Sequence, residues 1–260
     1  MNAAVSLRSA LVLILAGLAA ACLQQESPST VATPPLSTGN SIPASRWRAV
    51  LVAGDSSSPA FNNGIETMRD RLHQEGVRDI HVLAADPSGM AGAELASVLN
   101  LRRALQTAGG QTGGGGACLA FMTSHGEERG FFLRASRTLL SPSSLEQALE
   151  AGCAGLPTVL IVSACHSGAF ITEQSRKPNR IILTAAATER ASFGCGAGDE
   201  YTHYDRCLLQ SLDHAVTWRE LAITTRACVE ADERRLGVRP ASLPQVFVGA
   251  SVADLRLPGR

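Results

Sequence analysis

Lysine is nearly missing from this chain of 260 residues: Lys177 stands alone among 23 basic side chains, which 23 acidic ones balance. The zero net charge removes the electrostatic footprint of a nucleic-acid binder or of a protein held on an anionic membrane surface. Aromatic residues make up only 4%, too few for the stacking platforms of single-strand binders. No apolar run reaches the ~20 residues that a membrane-spanning helix needs. No Cys-x-x-Cys or His-x-x-x-His spacing occurs, so no metal and no other cofactor is expected. The glycine-rich stretch 109–116 leads into an apolar run without a following Gly-Lys-Ser/Thr, which excludes a phosphate loop. The sequence carries no internal repeat.

What remains is a composition with 45% hydrophobic and 18% charged residues, enough to bury a sizeable core. Met1–Arg8 has one basic side chain, and Ala10–Ala21 is a short apolar stretch of the kind found in export signals. It ends Leu18-Ala19-Ala20-Ala21-Cys22, similar to a bacterial lipoprotein signal in which Cys22 is lipidated and becomes N-terminal. Plain cleavage near Ala21 and an uncleaved anchor are the alternatives. Residues 23–45, rich in Ser, Thr, Pro and Gln, read as a flexible tether. The expected organisation is a signal peptide over 1–22, a tether over 23–45 and one folded domain over 46–260. The expected location is exported, either periplasmic or membrane-anchored in a bacterium, with membrane contact only through a lipid on Cys22.

In the folded part, strand-like and helix-like segments alternate. Strands are predicted at Arg48–Asp55, Ile80–Ala84, from Cys118 up to the reactive His125, from Thr158 up to the reactive Cys165, at Arg180–Ala186 and at Gln245–Val248. Asn63–His73 has Ile65, Met68 and Leu72 at helical spacing and is closed by Gly76. Ala93–Ala108 has Leu95, Leu99, Leu101 and Leu105 as its apolar positions. Ser143 and Glu146 have the spacing of a capping box. Gly130–Leu133 reads as a short hairpin, and 207–236 as mostly helical. This alternation predicts an α/β sandwich with a mostly parallel central sheet of about six strands flanked by helices.

Two of the strands end in reactive side chains. One runs Cys118-Leu-Ala-Phe-Met-Thr-Ser-His125-Gly126, the other Thr158-Val-Leu-Ile-Val-Ser-Ala-Cys165-His166-Ser167-Gly168. Alone, a Cys at a strand end is most often inert core, and a His at a strand–loop junction is most often a surface residue. Together, at the carboxyl edge of one parallel sheet, they put a thiol beside an imidazole, which is the apparatus of nucleophilic acyl transfer. The amides of Gly126 and Cys165 are candidate oxyanion donors, and Gly126 leaves room for a substrate backbone. Two neighbouring alternatives are weaker. A metal held by Cys165, His166 and His125 is disfavoured because His166 follows Cys165 and should face the opposite way, and Ser167 as nucleophile lacks a Gly-x-Ser-x-Gly elbow. Of the other cysteines, Cys195 and Cys207 flank a polar loop and are the expected bridge, Cys118 should be inert, and at least one thiol stays free.

The order of an apolar run with His-Gly, about 40 residues, then an apolar run with Ala-Cys-x-Ser-Gly, resembles the legumain-like cysteine peptidases, which have caspase-like folds. Three further segments are similar: Trp47–Gly54, the stretch Thr184–Ala186 with Ala191–Cys195, and Tyr201–Tyr204. The resemblance spans about residues 46–252. It implies a caspase-like fold, Cys165 as nucleophile and His125 as general base and acid. The implied activity is endopeptidase cleavage of a peptide or protein substrate, after Asn or Asp. It implies a substrate pocket drawn from Asn62, Asn63, Ser192 and Asp205. The family's Arg-His pair has no counterpart around Gly64-Ile65-Glu66, and its C-terminal inhibitory segment is not expected here. A transamidase of the same fold and a non-catalytic cell-envelope binding module stay open beside hydrolysis.

Overall fold

The computed structural model describes residues 41–110 and 115–260. The expected signal peptide, Cys22 and the tether up to residue 40 lie outside the described residues. Within them, no helix is long and apolar enough to cross a membrane.

The chain runs β1 (Trp47–Ala53), α1 (Pro59–Gln74), β2 (Asp79–Ala84), β3 (Glu94–Leu95), α2 (Val98–Gly110) and β4 (Ala117–Thr123). There follow β5 (Gly126–Glu127), β6 (Gly130–Leu133), β7 (Thr138–Leu140), α3 (Pro142–Cys153), β8 (Thr158–Ser163) and β9 (Arg180–Thr184). The last elements are α4 (His203–Leu212), α5 (Trp218–Leu236) and β10 (Gln245–Val248). Among the described residues the main sheet has the order β10-β9-β8-β4-β1-β2-β3, with β10 antiparallel to β9 and the remaining pairs parallel. Strands β5–β7 make a small antiparallel sheet beside it.

The central strands are apolar at every position because both faces of the sheet are covered. Ala49, Leu51 and Ala53 point to one core, with Phe61, Ile65 and Met68 of α1, Leu208 of α4 and Trp218 and Leu221 of α5. Val50 and Val52 point to the other, with Leu101 and Leu105 of α2 and Leu145 and Leu149 of α3. The result is a three-layer α/β/α sandwich, with seven strands in the main sheet rather than about six.

Several local expectations are corrected. The helix expected from Ala93 starts only at Val98, because Glu94 and Leu95 pair with Leu83 and Ala84 as an edge strand. Ser97 then accepts the Asn100 amide at 3.2 Å, and Leu99 is left 73% exposed. Helix α3 is capped by Ser141, not Ser143, since Pro142 suits the first helical position. Glu146 is drawn away from capping to pair with buried Arg180 at 3.0 Å and with Lys177 at 2.9 Å. The full capping box lies elsewhere, between Thr217 and Glu220 of α5. Gly76, as expected, follows α1 at a φ of +95°.

The expected Cys195–Cys207 bridge does not form. Side-by-side packing of α4 and α5 brings Cys207 to Cys228, with Cα atoms 5.6 Å apart. Cys118, expected to be inert, faces α3 and joins Cys153, with Cα atoms 6.1 Å apart. Both separations suit a disulfide. Among the described residues, the free cysteines are Cys165 and Cys195.

Candidate active site

Strands β4 and β8 are adjacent at the centre of the sheet, and their last residues, Thr123 and Ser163, are direct register partners. The Ser124 amide continues the ladder by donating to the Ser163 carbonyl at 3.1 Å. His125 and Cys165 each lie two residues beyond this pair, so both side chains emerge at the same level of one sheet edge.

Gly126 sets how closely the two segments approach. A Cβ there would stand 2.4 Å from the Cys165 carbonyl oxygen and 2.9 Å from the Ala164 Cβ. The glycine thus makes room for the neighbouring segment's backbone, rather than for the substrate backbone expected from sequence. His125 accepts the Phe132 amide at 3.0 Å in the β5–β6 hairpin. By antiparallel alternation the adjoining Gly126–Phe131 pair is the non-bonded one, which turns the Gly126 amide away from β6.

After Cys165 the chain turns sharply through His166, at φ +59°. The His166 amide donates to the Arg190 carbonyl at 2.8 Å, and its Nδ1 donates to the Thr188 carbonyl at 2.7 Å. These bonds hold the imidazole away from the sulfur. The Ser167 hydroxyl is buried and accepts the Ala186 amide at 3.1 Å, so it is tied into the structure. The Cys165 sulfur accepts the Ser192 amide at 3.3 Å and lies 3.5 Å from the Ser192 carbonyl oxygen. The Cys165 amide donates to no described residue.

Two contacts fix the His125 ring. It packs edge-to-face with the Phe61 ring, with centroids 5.2 Å apart and planes at 81°. Its Nε2 lies 3.3 Å from the Ser57 hydroxyl. Ser57 is held in turn by Asp55, whose Oδ1 accepts the Ser57 amide at 2.6 Å and the Arg134 Nε at 3.0 Å. Burial pushes the Asp55 carboxyl up, but the Ser57 and Arg134 donors outweigh it and hold it below the usual carboxylate value.

A narrow cleft opens between these groups. His125, Cys165 and Ser192 line it, with Phe61, Ser163 and Thr202 among the other walls. Of the four pocket residues expected from sequence, Ser192 alone reaches it. Asn62 and Asn63 do not, because the inward face of α1 carries Phe61, Ile65 and Met68 and turns both amides aside; Asn63 donates to the Glu200 carbonyl at 2.8 Å. Asp205 is fully buried behind the cleft and accepts the Thr123 hydroxyl at 2.7 Å. Burial pushes its carboxyl up to about 6 against the hydroxyls of Thr123, Ser163 and Thr202. Its Oδ2 is the first atom a Cβ at Gly64 would meet, at 3.2 Å.

Ser57, Phe61, Thr202 and Cys195 were not legible as site residues. Ser57 and Phe61 lie on the loop and helix after β1, some 60 residues before His125. Ser163 did leave a signal, a polar residue closing an apolar strand.

Residues 112–221 match the model of the Peptidase C13 family. None of the curated proteins matches significantly. Among solved structures, the crystal structure of caspase-1 from Spodoptera frugiperda is similar, with a TM-score of 0.59 and 13% identity. That likeness covers 83% of this chain and 92% of the other, and at such identity it is a likeness of fold. The family match runs through both strands that bear the reactive residues, and together with the caspase-like fold it supports a cysteine-type peptidase similar to the legumain family.

Proposed function

We propose that this peptidase is an endopeptidase working through Cys165 and His125. The observation that carries the proposal is the Thr123–Ser163 register, which delivers the thiol and the imidazole to one cleft. His125 takes the thiol proton and the sulfur attacks the peptide carbonyl carbon. In this reading the Gly126 amide, turned away from β6, and the unengaged amide of Cys165 receive the oxyanion. His125 then protonates the leaving amine, leaving a thioester on Cys165. In the second half His125 deprotonates water, which attacks the thioester and frees the new carboxyl. Ser57 acts as a positioning residue that fixes the His125 ring.

The cleft beside the sulfur presents hydroxyls from Ser163, Ser192 and Thr202 and aromatic faces from Phe61 and Phe193, with no carboxylate or basic side chain apart from His125. Such a lining suits an uncharged polar side chain. With the Asp205 carboxyl behind the wall, an acidic side chain is disfavoured, so we propose cleavage after Asn in preference to Asp. We further propose that residues 46–260 are the peptidase domain of an exported protein carried behind a signal peptide and tether, with Cys22 lipidated. The two disulfides support an oxidising compartment.

The test is turnover of fluorogenic peptides with Asn, Asp, Gln, Arg or Lys before the scissile bond, with Cys165→Ala and His125→Ala in parallel. Cleavage after Asn that disappears in both variants is expected. Undiminished cleavage by Cys165→Ala would overturn the assignment, and a preference for Asp, Arg or Lys would overturn the reading of the cleft.

A further inference from the structure

A second free cysteine lines the cleft of the reactive one. Cys195 lines the same cleft as Cys165, and these are the free cysteines among the described residues, the other four being paired. The segment that carries Cys195 is pinned to the Cys165 sulfur three residues earlier, where Ser192 offers that sulfur its amide and its carbonyl oxygen at 3.3 and 3.5 Å. Three residues span at most ~11 Å even when fully extended, and this stretch bends at Gly194, at φ +85°. Both residues are partly exposed and line an open cleft. The two existing disulfides show a chain compatible with surroundings in which such bonds persist.

We propose that Cys195 is the resolving thiol of a reversible oxidation at the active site, forming a Cys165–Cys195 disulfide that protects the nucleophile and switches the peptidase off. The oxidant is a peroxide. The Cys165 thiolate attacks one peroxide oxygen, the O–O bond breaks, and Cys165 sulfenic acid and hydroxide result. The Cys195 sulfur then attacks the sulfenic sulfur. The new S–S bond forms as hydroxyl leaves, and that hydroxyl takes the Cys195 proton to depart as water. A dithiol reverses the change by exchange.

The two cysteines are suited to different parts. Burial, then the adjacent Cys165 sulfur and Asp199, push the Cys195 thiol up. It therefore stays protonated and is a poor first target for peroxide. Without a partner, the Cys165 sulfenic acid would go on to sulfinic acid, which a dithiol does not reduce. This inference rests on Cys165 being the nucleophile, and the experiment separates the two ideas.

The chain is treated with hydrogen peroxide, blocked with an alkylating agent and digested with trypsin without reduction. Arg176, Arg180 and Arg190 lie between the two cysteines, so they fall in different peptides. Cys153 shares the tryptic peptide 138–176 with Cys165, so the link is expected to add the Cys195 peptide 191–206 to the species already joined through Cys118–Cys153, with the Cys207–Cys228 pair as internal standard. Activity should fall as the link forms and return to about its untreated level with dithiothreitol. In Cys195→Ser, measured against its own untreated activity, peroxide should cause a loss that dithiothreitol does not reverse, with sulfinic acid at Cys165. Absence of the linked pair, with equal recovery in both proteins, would overturn the proposal. Formation of the link without loss of activity would instead overturn the role of Cys165, since the map is read without reference to turnover.

Discussion

Thr123 and Ser163 stand opposite one another as the last register pair between β4 and β8. Their hydroxyls, with that of Thr202, converge on the buried Asp205 carboxyl. The segments bearing His125 and Cys165 therefore leave the sheet from a common, fixed platform, and each prediction below concerns a part of that platform or what holds it.

Gly126 is the first. A methyl group at this position cannot coexist with the Cys165 carbonyl oxygen 2.4 Å away, so Gly126→Ala must push the two segments apart. Misplacing reacting groups by ~1 Å costs on the order of 100-fold in rate. Loss of kcat/KM by about that factor is expected, with a folded protein by circular dichroism. Activity within a few-fold of the parent would show that the close approach does not set the geometry.

Ser57 gives a smaller, more specific effect. Its hydroxyl is a hydrogen-bond partner of His125 Nε2, at 3.3 Å. A neutral hydrogen bond contributes ~0.5–1.5 kcal/mol, so Ser57→Ala should lower kcat by about 2- to 10-fold. KM should hold, since Ser57 does not line the cleft. The pH dependence of kcat should shift, because the ring's partner is lost, and Ser57→Thr should restore it. An unchanged pH profile would demote Ser57 to a loop residue.

Asp205 predicts a pH effect on stability. Its carboxyl is raised by burial to about 6, above the ordinary carboxylate value of 3.8. Between these values the native state holds a proton that the unfolded chain releases, so stability falls as pH rises through that window. Above pH 6 the whole cost of burying the charge is present, on the order of 2–3 kcal/mol. Asp205→Asn removes this dependence. The amide's own burial cost is the same at every pH, so the change in the difference between variant and parent isolates the ionisation. Urea melts at pH 4.5 and 7.5 should show the variant gaining stability relative to the parent at the higher pH. A constant difference would mean that Asp205 titrates alike in the folded and unfolded chain, so that burial does not raise its carboxyl.

How much of this was legible beforehand depended on distance along the chain. Apolar runs gave the central strands, because a strand buried on both faces needs no partner's identity to be recognised. The His-Gly and Ala-Cys endings pointed to the sheet edge for the same reason. The pocket was less readable. Phe61 and Asn62 differ only by a helical rotation of ~100°, so the start of α1 at Pro59 rather than Asn63 decides which one faces the cleft. Leu95 failed as a helix residue because edge pairing with Ala84, invisible in local periodicity, captured it. Glu146 failed as a cap because Arg180, 34 residues on, claimed its carboxylate.

The disulfides show the same limit. Cys118 and Cys153 are 35 residues apart and meet because α3 covers the face of β4 that bears Cys118. Cys118–Cys153 should matter more than its buried setting suggests. It anchors β4, the strand that ends at His125, to the helix layer behind it. Closing a loop of this length restricts the unfolded chain and contributes ~2–4 kcal/mol. The double substitution Cys118→Ala with Cys153→Ala should lower unfolding free energy by about that amount. Below the new transition, activity should stay close to the parent's, since the cleft lies at the sheet edge and neither cysteine lines it. A chain that keeps its full stability without this bridge would mean that packing of α3 alone holds β4 in place. One that folds well yet loses activity would tie the bridge to the position of His125.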